Sequence, residues 1–349
     1  MIDSCKRFLI AARLNYPVHG SLFVLFIVSW LLFGGWFWET PRLLTATQFL
    51  MDTSVTVKVY VRDSEKGEKL IKKAFAEGAR IEHIMEPLKG TGELQKINAS
   101  PDKLKRVVSP ELLQVLVRSK FFYNLTGGAF DPTIAPVKWL WDFEIKRKVP
   151  GDQEIQDKLR FVSFAQVKLN EDSIEFAHPE IQLDLGGVAK GYAVDRMIAV
   201  LKDGGITAGL VNAGGDIYSF GKKPGNVDWI IGISHPRLSL TIRPDKTIQL
   251  ASVATSGDYQ RFFMEDGIRY HHILDPSTGY PARECISVTV WAENATDADI
   301  LATAIFVMGP EKGIELAESL DNVETLIFFE KDGKVGAVMS SGIKDKVRL

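Results

Sequence analysis

The sequence predicts a mixed α/β (α+β) domain that follows one apolar N-terminal helix. Valine occupies every second position of Ser54–Arg62, which is the pattern of a half-buried strand. Glu65–Met85 places apolar residues at helical spacing and predicts an amphipathic helix. No repeat, low-complexity tract or clear boundary interrupts the later chain, so we expect a single domain there.

The N-terminal apolar run is long enough to cross a membrane. Leu14–Trp38 contains no Asp, Glu, Lys or Arg, and Gly20–Trp38 is nearly all apolar. At 1.5 Å per residue this run extends about 28 Å, close to the ~30 Å hydrocarbon core of a bilayer. Basic residues precede it, and the positive-inside rule therefore predicts a cytoplasmic N-terminus.

We therefore expect residues 1–44 to form a cytoplasmic N-terminus and a transmembrane anchor, with the span at about 18–38. Residues 45–349 would then form a periplasmic domain tethered to the inner membrane. The alternatives are a cleaved signal peptide and a buried core helix. The apolar region of a signal peptide is usually shorter, roughly 7–15 residues.

Further elements follow from local signals. Ser109 and Pro110 fit the N-cap and first position of a helix, which Gly127-Gly128 would end. The remaining predicted helices are Lys190–Leu201 and Asp297–Met308, and the remaining predicted strands are Ala208–Val211, Trp229–Ile233, Ile286–Trp291, Val323–Phe329 and Val335–Met339.

Composition, charge and cysteine count argue against a nucleic-acid-binding protein and against a disulfide-stabilised one. The 349 residues are 46% hydrophobic and 25% charged, which is ordinary for a globular protein. The net charge is -2 and the basic residues are dispersed, so we expect no nucleic-acid surface. Cys5 and Cys285 lie on opposite sides of the apolar run, which argues against a disulfide framework.

The segment LDLGGVAKGYAVD has features of an anion site. Gly186 and Gly187 precede a predicted helix, whose N-terminus favours negative charge, and Lys190 could pair with a phosphate. The spacing is not that of a P-loop. A tight turn without a ligand remains the alternative for this segment.

The predicted helix near the C-terminus offers two metal ligands. Asp299 and Thr303 are four residues apart and share one helical face. A carboxylate and a hydroxyl are hard oxygen donors that suit Mg²⁺. Alternatively, Asp299 only complements the helix dipole and Thr303 only fills space.

Three other segments have weaker signals. VNAGGDIYSFG is consistent with a hairpin turn, and GGAFDPT with a helix start capped by Asp131. His271 and His272 are adjacent, so on a strand they point to opposite faces and at most one faces a given site. The alternative is a hairpin in which one structural histidine is held by Asp275.

Taken in order, these motifs resemble the FAD:protein FMN transferases of the ApbE family. FLMDTSVTV, GELQKIN, GAFDPT, DLGGVAKGYAVD, NAGGDI, ATSGDY-x-R, HILDPSTGYPA and DADILATA follow one another in family order between about Phe49 and Met339. Each motif alone is weak, whereas the ordered set is specific.

The resemblance implies an activity. Such enzymes use FAD as substrate with a divalent metal, usually Mg²⁺, attach FMN through a phosphoester to a Thr or Ser of an acceptor protein, and release AMP. Their acceptors are subunits of membrane redox complexes. The resemblance implies His272 as the base, the carbonyl of Gly187 with Asp299 and Thr303 as metal ligands, and a flavin site at Met51, Asn98, Ala129, Phe130, Asp131, Asp184, Lys190 and Ile273.

One position departs from the family pattern, and two other functions remain open. Some relatives have an adenine-stacking aromatic residue where this chain offers Leu88. A metal-dependent FAD pyrophosphatase would resemble this sequence, although Asn98 favours transfer. A non-catalytic flavin-binding protein would tolerate loss of His272 and of the Asp299–Thr303 pair, all of which are present.

Overall fold

The computed structural model describes residues 40–100, 104–143, 145 and 147–349. The predicted anchor, with its span at about 18–38, and Cys5 lie outside the described residues. Within the described ranges, no helix combines the length and the apolar character needed to cross a bilayer. Leu43–Leu349 forms one compact unit.

The mixed α/β class is confirmed. The strands are β1 Arg42–Leu50, β2 Thr53–Val61, β3 Lys105–Val107, β4 Val167–Leu169, β5 Ser173–Phe176, β6 Gly209–Ala213, β7 Asp216–Phe220, β8 Ile233–Ser234, β9 Thr241–Ile242, β10 Ser252–Gly257, β11 Phe262–Glu265, β12 Ile268–His271, β13 Ser287–Ala292, β14 Glu324–Lys331 and β15 Lys334–Met339. The helices are α1 Ser64–Met85, α2 Glu93–Ala99, α3 Pro110–Leu125, α4 Ala135–Trp141, α5 Asp152–Leu159, α6 Ala189–Asp203, α7 Ala295–Met308 and α8 Pro310–Glu318.

The main sheet has the strand order β1-β2-β6-β7-β10-β13-β14-β15. From β2 to β15 the neighbouring strands pair in antiparallel fashion, with Val57 opposite Val211 and Thr255 opposite Thr289. The β6–β7 connection is the hairpin that NAGGDI predicted, and Gly214 and Gly215 both have positive φ there. Smaller sheets pair β11 with β12, β8 with β9, and β5 with β3 and β4.

One face of the sheet is covered by helices. The alternate valines of β2 are at most 8% exposed and pack against α1 and α6, as the period of two predicts. Helix α6 packs between α1 and α7, and α7 also contacts β10 and β13. The opposite face is covered by the β8–β9 region and the C-terminal residues, which bury Trp291, Leu326 and Phe328.

Helix α7 is buried on nearly all sides, so its polar residues Thr296 and Asp299 lie inside the protein. Asn294 caps it, and the carboxylate of Asp195 on α6 accepts from the backbone N–H groups of Ala295 and Thr296. These contacts lock the start of α7 against α6. Asp299, in the second turn, is only 3% exposed as a result.

One predicted strand is wrong. Of Trp229–Ile233, only Ile233 lies in a strand, β8, which pairs with β9. The preceding residues are irregular, and the indole N–H of Trp229 donates to the carbonyl of Phe220. The run is apolar because it covers the outer face of the sheet, and a short apolar run alone does not distinguish that role from a strand.

Candidate active site

The Gly186–Gly187 turn is pressed against the metal-ligand candidates of α7. A Cβ at Gly187 would lie 3.0 Å from Thr303 Oγ1 and 3.1 Å from Phe130 Cε2. A side chain here would require Thr303 or Phe130 to shift, whereas glycine lets the Gly187 backbone lie beside Thr303 without strain. Gly186 is exposed, so the turn is open to solvent on its other side.

The oxygen donors beside this turn fit a hard cation. Asp299 and Thr303 lie one helical turn apart on α7, and Ser256 Oγ is 3.3 Å from Thr303 Oγ1. A carbonyl, a carboxylate and hydroxyls are the ligand types that Mg²⁺ prefers. Within the described ranges no cluster of three or more His, Cys, Asp and Glu residues could hold an ion. A metal here would therefore depend on mixed oxygen donors and on oxygens of its substrate.

Lys190 lies between two buried carboxylates. Its Nζ is 2.8 Å from Asp216 Oδ2 and 3.3 Å from Asp299 Oδ1. Burial opposes its charge, but the two carboxylates outweigh burial and raise the pKa of Lys190. Burial and the nearby charge of Asp299 raise the pKa of Asp216 to about 7. When both carboxylates are ionised, the trio carries an excess of negative charge, which a divalent cation would compensate.

Sequence reasoning did not predict Asp216 as a site residue. NAGGDI ends the β6–β7 hairpin, and its aspartate points to the helix face of the sheet, where it is 2% exposed. The sequence signal that could have identified Asp216 is a carboxylate directly after the glycine pair of NAGGDI.

Asp184 holds the glycine turn through two contacts. Its Oδ1 accepts from the Gly186 N–H at 2.8 Å, and its Oδ2 accepts from Lys138 Nζ at 2.8 Å. Burial alone would raise the pKa of this carboxyl, but the ammonium of Lys138 and the hydrogen bonds lower it. Asp184 is therefore ionised at neutral pH.

The predicted flavin-site residues Asn98 and Asp131 shape the backbone around the turn. The Asn98 side chain donates to Leu183 O at 2.8 Å and accepts from Leu183 N at 2.9 Å. Asp131 caps the 3₁₀ turn after it, as its position predicted, and accepts from the N–H groups of Thr133 and Phe164. Phe130 is 4% exposed beneath Gly187, and its neighbour Ala129 is half-buried.

Met51 lies at a strained turn. It joins β1 to β2 with a φ of 54°, a left-handed conformation that is unusual for a residue with a long side chain. Its N–H donates to Glu82 Oε1 at 2.7 Å. The next residue, Asp52, pairs with Arg261 at 3.4 Å, which ties this turn to the segment before His272.

His272 presents one ring nitrogen for chemistry. Its Nδ1 is 3.3 Å from the carbonyl of Arg261. A carbonyl only accepts, so Nδ1 carries the proton in this contact and Nε2 keeps its lone pair. Burial, and then the positive charge of Lys138, lower the pKa of His272 to about 3. The imidazole is therefore neutral at pH 7, which is the protonation state of a base.

His271 has a structural environment. It is 3% exposed, its Nε2 donates to Ala282 O at 2.8 Å, and its Nδ1 accepts from Ile273 N at 3.4 Å. Strand β12 ends at His271, so His272 lies outside it, and the expectation that strand alternation points the two imidazoles to opposite faces stays a prediction. The alternative in which Asp275 holds a histidine is wrong, because Asp275 accepts from the N–H and hydroxyl of Ser277. Ile273 is itself 6% exposed.

The structure thus gathers most of the predicted site around one turn. Gly187 lies close to both Phe130 and Thr303, Lys190 pairs with Asp299, and Asp184 pairs with Lys138. His272 is near enough to Lys138 for that charge to affect it. The individual roles of these residues remain predictions.

Comparison with known proteins identifies the family to which this chain is similar. The ApbE family model matches residues 51–327. An FAD:protein FMN transferase of Treponema pallidum (strain Nichols) is 33% identical over 328 residues, which cover 88% of this chain and 90% of that relative. One of Klebsiella pneumoniae (strain 342) is 30% identical over 82% of this chain and 89% of its own length.

Solved structures show the same likeness. The ApbE protein from Thermotoga maritima has a TM-score of 0.79 and 33% identity, covering 88% of this chain and 100% of its own. The flavin transferase ApbE from Vibrio cholerae has a TM-score of 0.78 and 28% identity, covering 88% of this chain and 99% of its own. The family match spans well over half of the sequence, and the chain therefore belongs to the ApbE family.

Proposed function

We propose that this protein is an FAD:protein FMN transferase that uses Mg²⁺, joins FMN to a Thr or Ser of an acceptor protein, and releases AMP. The observation that carries the proposal is the set of hard oxygen donors beside the glycine turn, and a neutral histidine in the field of the turn's Lys138 supports it. Gly187 lies against Thr303, Asp299 lies one helical turn away, and His272 keeps the lone pair of Nε2. The names of the relatives support FAD as the substrate.

The reaction follows from these groups. The hydroxyl oxygen of the acceptor attacks the phosphorus of the FMN half of FAD, its proton passes to His272 Nε2, and the P–O bond to the AMP phosphate breaks. The Gly187 carbonyl, Asp299 and Thr303 would hold Mg²⁺, which when bound would supply Lewis-acid stabilisation of the phosphate charge. Arg261 O orients the imidazole by accepting from Nδ1–H. AMP leaves with the electrons of the broken bond.

The remaining predicted residues form the flavin site in this proposal. They are Met51, Asn98, Ala129, Phe130, Asp131, Asp184, Lys190 and Ile273. Lys190 is already paired with two carboxylates, so its contribution is to keep Asp216 and Asp299 in place beside the metal. Asn98 and Asp131 set the backbone that surrounds the isoalloxazine.

The function is tested with purified protein, FAD, Mg²⁺ and a co-expressed subunit of a membrane redox complex. We expect the acceptor to gain the mass of one FMN at a Thr or Ser, with one AMP released per FMN attached. Release of FMN and AMP that needs no acceptor, with no mass gain on any acceptor, would instead establish a pyrophosphatase. Binding of FAD without either product would establish a binding protein.

We also propose that residues 18–38 anchor the enzyme in the inner membrane with its domain in the periplasm. The support is the charge-free run Leu14–Trp38 and the basic residues before it. A reporter that is active only after export, fused after residue 50, is expected to be active and to fractionate with membranes. Recovery of a soluble domain cleaved near residue 45 would contradict the anchor and leave the enzymatic proposal intact.

A further inference from the structure

Lys138 is a second lysine at the glycine turn, and no sequence motif pointed to it. It lies on α4, and its Nζ is 2.8 Å from Asp184 Oδ2. A Cβ at Gly186 would stand 3.3 Å from the same Nζ, so the ammonium lies against the turn at its exposed glycine. The side chain of Lys138 is 24% exposed and that of Asp184 is 9% exposed. The ammonium is thus held in place but not enclosed.

The two lysines of the site differ in the carboxylates that they meet. Lys190 contacts both Asp216 and Asp299, so its charge is more than compensated. Among the hydrogen bonds of the described residues, Lys138 has the single acceptor Asp184. An ammonium has three N–H donors, which leaves Lys138 with donors for a further acceptor.

The position of Lys138 also relates it to the base. Its positive charge is, after burial, the largest cause of the lowered pKa of His272. The ammonium therefore acts on the imidazole through its charge, and it contacts the glycine turn directly through Asp184. In the proposed reaction the phosphorus under attack must be reached by the hydroxyl that His272 activates, so a cation that acts on both the turn and the imidazole suits a phosphate contact.

We propose that Lys138 binds a phosphate of FAD at the Gly186–Gly187 turn. The inference rests on the proposed function for the identity of the ligand. A charge-assisted hydrogen bond from an ammonium to a phosphate oxygen is short and strong, and the missing side chain of Gly186 leaves room for it. Asp184 orients the ammonium through the contact already present. The competing explanation is a purely structural ion pair that keeps Asp184 in place.

Binding of three small ligands separates these explanations. FMN and AMP each contain one phosphate of FAD, whereas riboflavin has the flavin without phosphate. We expect Lys138→Met to weaken FMN or AMP binding by about 10-fold or more, because a hydrogen bond to a charged group is lost. Riboflavin binding should stay within about 2-fold of wild type, since no charged contact to it is removed. Lys138→Arg keeps a cation and should recover part of the loss.

The matched control is Lys158→Met, which removes the same charge from an exposed ion pair with Glu180 and should change none of the three affinities. If Lys138→Met does not fold, Lys138→Gln keeps a donor for Asp184 without the charge and gives the same comparison. Equal weakening of riboflavin and FMN, or unchanged FMN and AMP binding, would overturn the proposal. These measurements need no transfer activity, so a wild-type protein that binds FMN but attaches none to an acceptor would remove only the proposed function.

Discussion

Replacing Asp299 with Ala is expected to reduce FMN transfer by at least about 100-fold while the domain remains folded. A single electrostatic contact to the transition state is typically worth ~3 kcal/mol or more, and a metal ligand provides such a contact. The carboxylate is 3% exposed on a buried helix, so solvent cannot replace it. The rate of flavinylation at saturating FAD, measured across a range of Mg²⁺ concentrations, is the appropriate readout.

Asp299 also accepts from the Gly191 N–H at 3.1 Å, and its removal therefore has a structural cost. Leaving a buried donor unpaired costs about 1–3 kcal/mol of folding free energy. Asp299→Asn keeps an acceptor oxygen for Gly191 and leaves Lys190 paired with Asp216, so it tests the loss of the Asp299 charge without an unpaired buried donor. We expect it to fold like wild type and to remain inactive.

Asp297→Asn is the matched control on the same helix. Asp297 is paired with Arg118 at 2.6 Å and has no contact with Lys190 among the described residues. Its replacement should lower stability slightly and leave the transfer rate near wild type. Full activity of Asp299→Ala, or full activity of the wild type in excess chelator, would exclude the metal assignment.

The predictions that the structure confirmed came from local signals. The valine alternation of β2, the cap at Ser109 and the apolar run of α7 each depend on neighbouring residues only. Trp229–Ile233 failed because its apolar character comes from covering the sheet, a tertiary fact that its own sequence does not contain. Signals from neighbouring residues therefore predicted the helices and strands better than they predicted the tertiary contacts between them.

The same limit applies to the site. Lys190 could be identified as a lysine beside a glycine pair, but its two carboxylate partners are on other elements of the fold. Lys138 occurs in the apolar helix APVKWLW and meets Asp184 46 residues later, so nothing within its own segment indicates an active-site cation. The order of the motifs along the chain was enough to predict where the site lies. Which carboxylates pair with Lys190 and Lys138 could be seen only in the three-dimensional structure.

His272→Ala is expected to lose FMN transfer by at least about 100-fold and to keep FAD binding near wild type. The acceptor hydroxyl is a very weak acid and must lose its proton as it attacks, and a positioned base typically contributes about 10²–10⁴-fold to such a step. Arg261 O fixes the ring through Nδ1, so the lone pair of Nε2 is directed away from that contact. The imidazole makes no hydrogen bond among the described residues that would hold the glycine turn, so FAD binding should survive its loss.

His271→Ala is the comparison that makes this prediction specific. His271 bridges Ala282 O and Ile273 N from a buried position, so its removal should lower the free energy of unfolding by about 1–3 kcal/mol. At a temperature where both variants are folded, His271→Ala should still transfer FMN. FAD titration measures the FAD affinity, urea unfolding measures the free energy of unfolding, and in-gel flavin fluorescence of the acceptor measures FMN transfer. If His271→Ala is folded and inactive while His272→Ala transfers FMN, the base is assigned to the wrong histidine; if both folded variants transfer normally, the proton is taken by a different group.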